Sequence, residues 1–268
     1  MLQPRIVPCL LVRKRGLVKT VKFQDAKYVG DPVNAVKIFN EKRVDEITLL
    51  DIDASTENRE PDLRMIENVA AECRMPLCYG GGIRSAAQAA RIFSLGVEKV
   101  AMSSSVIANP LLVRQIADEV GNQSVVGVLD VRKKRFGGYE AWTHNGTKNT
   151  GQDPARLAEM FQQHGVGEIV INSIDRDGTM SGYDLDLVDL MSRHISVPYT
   201  VLGGAGSLEH LRALFARFGV LGASAGSLFV FKGTFRAVLI NYPSTAERDA
   251  IAQVAHSLIA KSGGTASG

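Results

Sequence analysis

The chain has 268 residues, 45% hydrophobic and 22% charged, enough apolar material for one large α/β core or two small ones, which excludes general disorder. Its 31 Lys and Arg against 28 Asp and Glu leave a formal charge of +3, too little to point to a nucleic-acid or membrane surface, so a small molecule or another protein is the expected partner. Three cysteines (Cys9, Cys73, Cys78) make neither an even disulfide framework nor a CxxC pair, and no signal-like run or apolar stretch of roughly 18 residues occurs, so the chain reads as reduced and cytoplasmic.

Eight short aliphatic or β-branched runs follow one another: Arg5–Val12, Glu46–Ile52, Pro76–Gly80, Lys99–Ser103, Ser124–Asp130, Glu168–Ser173, Pro198–Gly203 and Val220–Ala225. Amphipathic segments separate them. Asp31-Pro32 opens the first, with aspartate as cap and proline in the turn where a missing N–H costs least, and Asp153-Pro154 opens a later one in the same way. Eight strand–helix units in about 250 residues predict a TIM (β/α)8 barrel rather than an open sheet. No GxGxxG follows the first run, and no cofactor is expected. The barrel is expected over 1–243, a helix packed on it over 244–261 and a disordered tail over 262–268, while Lys133–Asn149 reads as a β-hairpin excursion.

The chain also repeats itself. Asp51-Ile52-Asp53 has a counterpart in Asp175-Arg176-Asp177, Gly81-Gly82-Ile83 in Gly204-Ala205-Gly206, and Ser103-Ser104 in Gly226-Ser227, at offsets of 123 or 124 residues. Two similar half-barrels would place any shared site on a rough two-fold axis.

Chemistry in such a barrel belongs at the C-terminal strand ends. There Gly81, Gly82, Gly203 and Gly204 form turns that lead into helices, while Ser103, Ser104, Gly226 and Ser227 end the neighbouring strands. Such turns serve strand-to-helix geometry or hold phosphate, and their repetition favours two phosphate sites gripping an elongated ligand. Asp130 ends an apolar strand that can raise its pKa toward that of a working acid or base. Asp51, Asp53, Asp175 and Asp177 lie at adjacent strand ends, where they serve the substrate or cap loops and pair with Arg176 and Lys19. The five histidines do not converge, which argues against a metal site or a Ser-His-Asp triad. At the opposite strand ends, Arg5, Glu46, Lys99 and Glu168 make an alternating ring of charge, either solvated or paired as a gate for a small neutral molecule.

From Arg5 to Phe231 these residues resemble the cyclase subunit family of imidazole glycerol phosphate synthase, the ammonia-using half of a glutamine amidotransferase. The most specific segments are Pro8-Cys9-Leu10, Gly30-Asp31-Pro32, Leu50-Asp51-Ile52, Gly80–Ile83, Asn149-Thr150-Gly151, Ser173–Thr179 and Gly203–Gly206. The resemblance implies that the glycine turns hold a ribonucleotide's two phosphates and that Asp130 is one of two catalytic aspartates. It implies that the charged ring gates ammonia from a glutaminase docked on the barrel floor as a heterodimer. Lys19 falls in the family's flexible first loop.

One position departs. The family motif reads Pro-Cys-Leu-Asp, and this chain has Pro8-Cys9-Leu10-Leu11, so its second catalytic carboxylate is missing. Ser103 and Leu202 also replace family polar residues. Leu10-Leu11-Val12, Arg15–Phe23, Ala225–Phe231 and Arg236–Ile240 resemble the glycosyl-amidation-associated (WbuZ-type) branch. That resemblance implies conversion of an acetamido sugar to its acetamidino form for surface polysaccharide (O-antigen, lipopolysaccharide), with a third protein activating the sugar. Two other readings stand beside it: a genuine cyclase of histidine biosynthesis, and a non-catalytic barrel that activates a glutaminase.

Overall fold

Each of the eight runs forms a strand, and the strands close into a ring. The structure, a computed structural model, describes residues 3–233 and 235–263. Among these, eight parallel strands run β1 (Arg5–Arg13), β2 (Ile47–Asp51), β3 (Leu77–Gly80), β4 (Lys99–Met102), β5 (Val125–Lys133), β6 (Glu168–Ser173), β7 (Tyr199–Leu202) and β8 (Gly222–Ala225). Each pairs with the next, and β8 returns to β1 with Arg5 opposite Gly222, so the barrel has no free edge. The expected TIM barrel is thereby borne out.

Strand alternation divides the apolar residues into two sets. Residues such as Ile47, Leu49, Leu129, Ile169 and Ile171 face outward against Phe39, Ile66, Ile92, Phe161 and Phe215 of the helices, each buried side chain contributing about 1.5–3 kcal/mol. Leu50, Ala101, Val126, Val128 and Val170 instead meet inside the barrel. The same alternation carries Asp130, two residues beyond Val128, and Asn172, two beyond Val170, onto the interior face.

The repeat is visible in the helix caps. Asp31 accepts from Asn34 N and Asp153 from Ala155 N; Asp62 accepts from Met65 N and Asp184 from Leu187 N; Ser85 accepts from Gln88 N and Ser207 from His210 N. The members of each pair stand 122 positions apart (153 − 31, 184 − 62, 207 − 85). Each cap satisfies an otherwise orphaned helical N–H at the same place in its half-barrel.

Three local expectations change. The fifth run, expected to end at Asp130, continues to Lys133 because it doubles as the first arm of the hairpin, pairing Asp130 with Trp142 and Lys133 with Tyr139. The first loop holds strands that the eight runs do not include: Gly16–Val21 pairs antiparallel with β1 and with Gln24–Gly30, and Lys19 is buried there. The C-terminal helix runs Thr245–Gly263 and buries Ile251 and Ala255, so residues 262–263 of the expected tail are helical and 264–268 lie outside the described residues.

Candidate active site

The C-terminal strand ends surround a cavity of about 320 Å³. Its lining includes Leu11, Lys19, Asp51, Asp130 and Asp177, the turns at Gly81, Gly82, Gly203 and Gly204, and Ser103, Ser104, Gly226 and Ser227. Among the residues expected at the mouth, Asp53 and Asp175 stay outside that lining. The second of these is held from the hairpin side. Its carboxylate accepts from Lys133 N at 2.8 Å and ties the loop after β6 to the foot of the hairpin.

Asp130 opens onto the cavity but lies deep beneath its rim. Burial pushes its pKa up to about 6; the hydrogen bond from Asn172 Nδ2 to Asp130 Oδ1, at 2.8 Å, pulls the other way, and Asp177 adds to the rise. Such a carboxyl exchanges its proton near neutral pH. Asp177 has a local structural duty as well. It accepts from Thr20 Oγ1 at 2.6 Å and Phe23 N at 3.2 Å, while its carbonyl accepts from Lys22 N, so it clasps the first hairpin onto the mouth.

Lys19 donates to the carbonyl of Cys9 at 2.7 Å, and burial lowers its pKa against the pull of Cys9 and Asp177. Burial raises the Cys9 thiol to about 11, which leaves it inert as a nucleophile at neutral pH. Leu11 sits between Leu50 of β2 and Val18 of the hairpin, and contributes an apolar wall. Asp51 is braced by Arg59, and Asp53 by a fork from Arg13 at 2.8 and 2.9 Å. Arg13 and Arg59 thus hold Asp53 and Asp51, whereas of the two expected cations Lys19 attracts Asp177.

The glycine turns are sterically demanded. Gly81 has φ +122°, and a Cβ there would lie 2.5 Å from the Asp51 carbonyl; Gly204 has φ +108°, and its Cβ would lie 2.1 Å from the Gly182 carbonyl. The backbone therefore passes close to its neighbours at both turns. The lining also holds residues that the sequence did not single out, notably Asn172, His144 and Arg84. Burial, with nearby Lys148 and Arg84, lowers the pKa of His144. Ser103 Oγ and Asn172 Oδ1 are buried without hydrogen-bond partners, so both face the cavity unsatisfied. Among the described residues no group of three or more His, Cys, Asp or Glu could hold a metal ion, and no helix is long and apolar enough to cross a membrane.

At the other end the charged residues form a closed ring. Arg5 bonds Glu46 at 2.6 Å and Glu168 at 2.7 Å, and Lys99 bonds the same two carboxylates at 3.0 and 2.8 Å. Thr200 Oγ1 donates a further bond to Glu168 at 2.6 Å. A cavity of about 20 Å³ lies above the ring and shares Leu50, Ala101, Val128 and Leu202 with the upper cavity, so an apolar collar separates the two.

Burial alone would raise the pKa of Glu168, but Arg5 and Lys99 outweigh it and hold the group down at about 2. A depressed carboxylate stabilises the fold above its unfolded pKa and loses that contribution as pH falls. Acid titration followed by circular dichroism should therefore show stability dropping from about pH 4.5 toward pH 2, by on the order of 3 kcal/mol for this group. A Glu168→Gln chain with the same acid slope would show that the ring carries no such linkage.

The barrel carries its acids at one mouth and a paired plug of charge at the other, and a family model described as "Histidine biosynthesis protein" matches residues 5–236, so the chain belongs to that family. It is 55% identical to a Vibrio vulnificus protein provisionally named imidazole glycerol phosphate synthase subunit hisF3, over 92% of this chain and 96% of that one. A Leptospira interrogans protein provisionally named as subunit HisF is 54% identical, over 94% and 99%. The imidazole glycerol phosphate synthase subunit HisF of Streptococcus mutans is 39% identical, over 85% and 91%. Within the family the chain is of the HisF type.

Proposed function

We propose that the chain is the ammonia-accepting, cyclase-type subunit of a glutamine amidotransferase, and that its acceptor is an acetamido sugar destined for bacterial surface polysaccharide rather than the histidine-pathway ribonucleotide. The observation that carries this reading is Leu11. It occupies the mouth where the family motif has an aspartate, and a leucine neither donates nor accepts a proton. The relatives, at 38–55% identity, are all named, provisionally or outright, as imidazole glycerol phosphate synthase subunits, which supports the cyclase-type part of this reading; the choice of acceptor rests on Leu11.

On this reading a glutaminase docks at the floor, ammonia passes the ring and the apolar collar, and Asp130 takes a proton as the nitrogen adds. The glycine turns, with Ser103, Ser104 and Ser227, hold phosphate, while Lys19, Asp51 and Asp177 shape the substrate side of the mouth. Exchanging an amide oxygen for nitrogen forms a C–N bond and breaks the C–O bond, so the oxygen must first be esterified, as by a phosphoryl donor, and leave as phosphate; in this reading a third protein performs that activation. No cofactor enters the scheme.

The test is direct. Purified chain with ammonium salt should not turn over the histidine-pathway ribonucleotide, whereas Leu11→Asp should raise that turnover by about 10²-fold or more. Robust turnover by the unaltered chain would assign it to histidine biosynthesis.

A further inference from the structure

We propose that Asp130 and Asn172 together form a receiving site for a group that donates N–H bonds, an amidine or a primary amide. The two residues lie opposite each other across β5 and β6 and both face the barrel interior. The Asn172 amide nitrogen is committed to Asp130 Oδ1 at 2.8 Å, which turns its carbonyl oxygen away from the carboxylate. That oxygen is buried and has no partner, in a residue only 4% exposed that lines the upper cavity. A Cβ on Gly203 would lie 3.3 Å from it and 2.6 Å from the Ser173 carbonyl, so only a bare glycine turn fits against this oxygen.

Asp130 keeps its second carboxylate oxygen free of hydrogen bonds to the described residues. Asp130 and Asn172, joined by one hydrogen bond, thus each keep an acceptor that no hydrogen bond among the described residues satisfies, and both residues line the upper cavity with Val128 and Leu202. An unsatisfied buried acceptor is costly, and a ligand supplying two N–H groups removes that cost. A planar amidinium brings two N–H donors and a positive charge to an ionised carboxylate with a neighbouring carbonyl, a charge-assisted match that a neutral hydroxyl makes less strongly and an ionised phosphate, which only accepts, does not make. The inference deepens the functional reading, in which an amide becomes an amidine at this mouth, and rests on it for the choice of ligand.

Acetamidinium chloride is the probe. Titrated into the full chain at pH 8, it should bind saturably by calorimetry and shift the side-chain amide resonances of Asn172. Asn172→Leu should weaken binding at least tenfold while keeping the parent's circular dichroism. Should that variant fail to fold, the unaltered chain at pH 5, where Asp130 is protonated, should show the same loss. Absent binding, equal binding by Asn172→Leu, or binding indifferent to pH would each overturn the site. Acetamidinium binding without amidating turnover would overturn the functional reading alone, and amidating turnover unchanged in Asn172→Leu would overturn this site alone.

Discussion

Asp130→Asn should reduce ammonia-dependent turnover at the mouth by about 10³-fold, the usual range for removing a positioned acid or base. The loss should come without unfolding. A carboxyl whose folded pKa stands near 6 binds its proton more tightly in the native chain than in the unfolded one, so native stability falls as pH rises through that interval. The cost is complete above pH 6. Asparagine mimics the protonated form and should hold the melting temperature or raise it, by at most about 3 kcal/mol in stability at pH 7. Activity of the parent should also decline as pH drops through about 6, since only the ionised group accepts a proton. A variant that keeps turnover, or loses it only by melting, would remove Asp130 from the chemistry.

The second large effect is expected at the floor. Glu168→Ala leaves Arg5 and Lys99 with a single carboxylate between them in a site where Glu168 and Glu46 are almost wholly buried. Breaking a buried ionic network by removing one partner costs about 3–5 kcal/mol, because the remaining charges stay desolvated. For a domain of this size that corresponds to a fall of roughly 10 °C in melting temperature. Glu46→Ala leaves the same two cations with one carboxylate and should cost a similar amount, and both it and Lys99→Ala should uncouple glutamine-dependent from ammonia-dependent turnover when the glutaminase is present. Unchanged coupling would mark the ring as structural only.

Much of this architecture was legible in the chain. Period-two apolar runs give the strands because only that spacing puts one set against the helices and another in the lumen, as Leu49 and Leu50 show side by side. The charged ring was legible because each member sits at the start of its run. Asn172 was not, because its meaning comes from Asp130, 42 residues away and adjacent only through the register of β5 with β6. The first hairpin escaped for a different reason. Its turns place Lys14-Arg15 and Lys22-Phe23 in left-handed conformations that Asn-Gly or Gly would ordinarily announce. Arg15 is held there by Asp62 and Phe23 by Asp177, both distant in sequence. In Asp175-Arg176-Asp177, composition could not say which aspartate faces inward, since a tight turn separates their directions.

The clasp between Thr20 and Asp177 has a further consequence, for assembly. It joins groups 157 residues apart, one from each half-barrel, so closing the mouth requires contacts of very long sequence separation. A ribosome that has released only the first four strand–helix units has released the hairpin and its β1 partner but not Asp177, so this clasp across the mouth cannot yet form. The finished mouth therefore depends on both halves of the chain: its rim is fastened only after the sixth strand and the loop that follows it have been made.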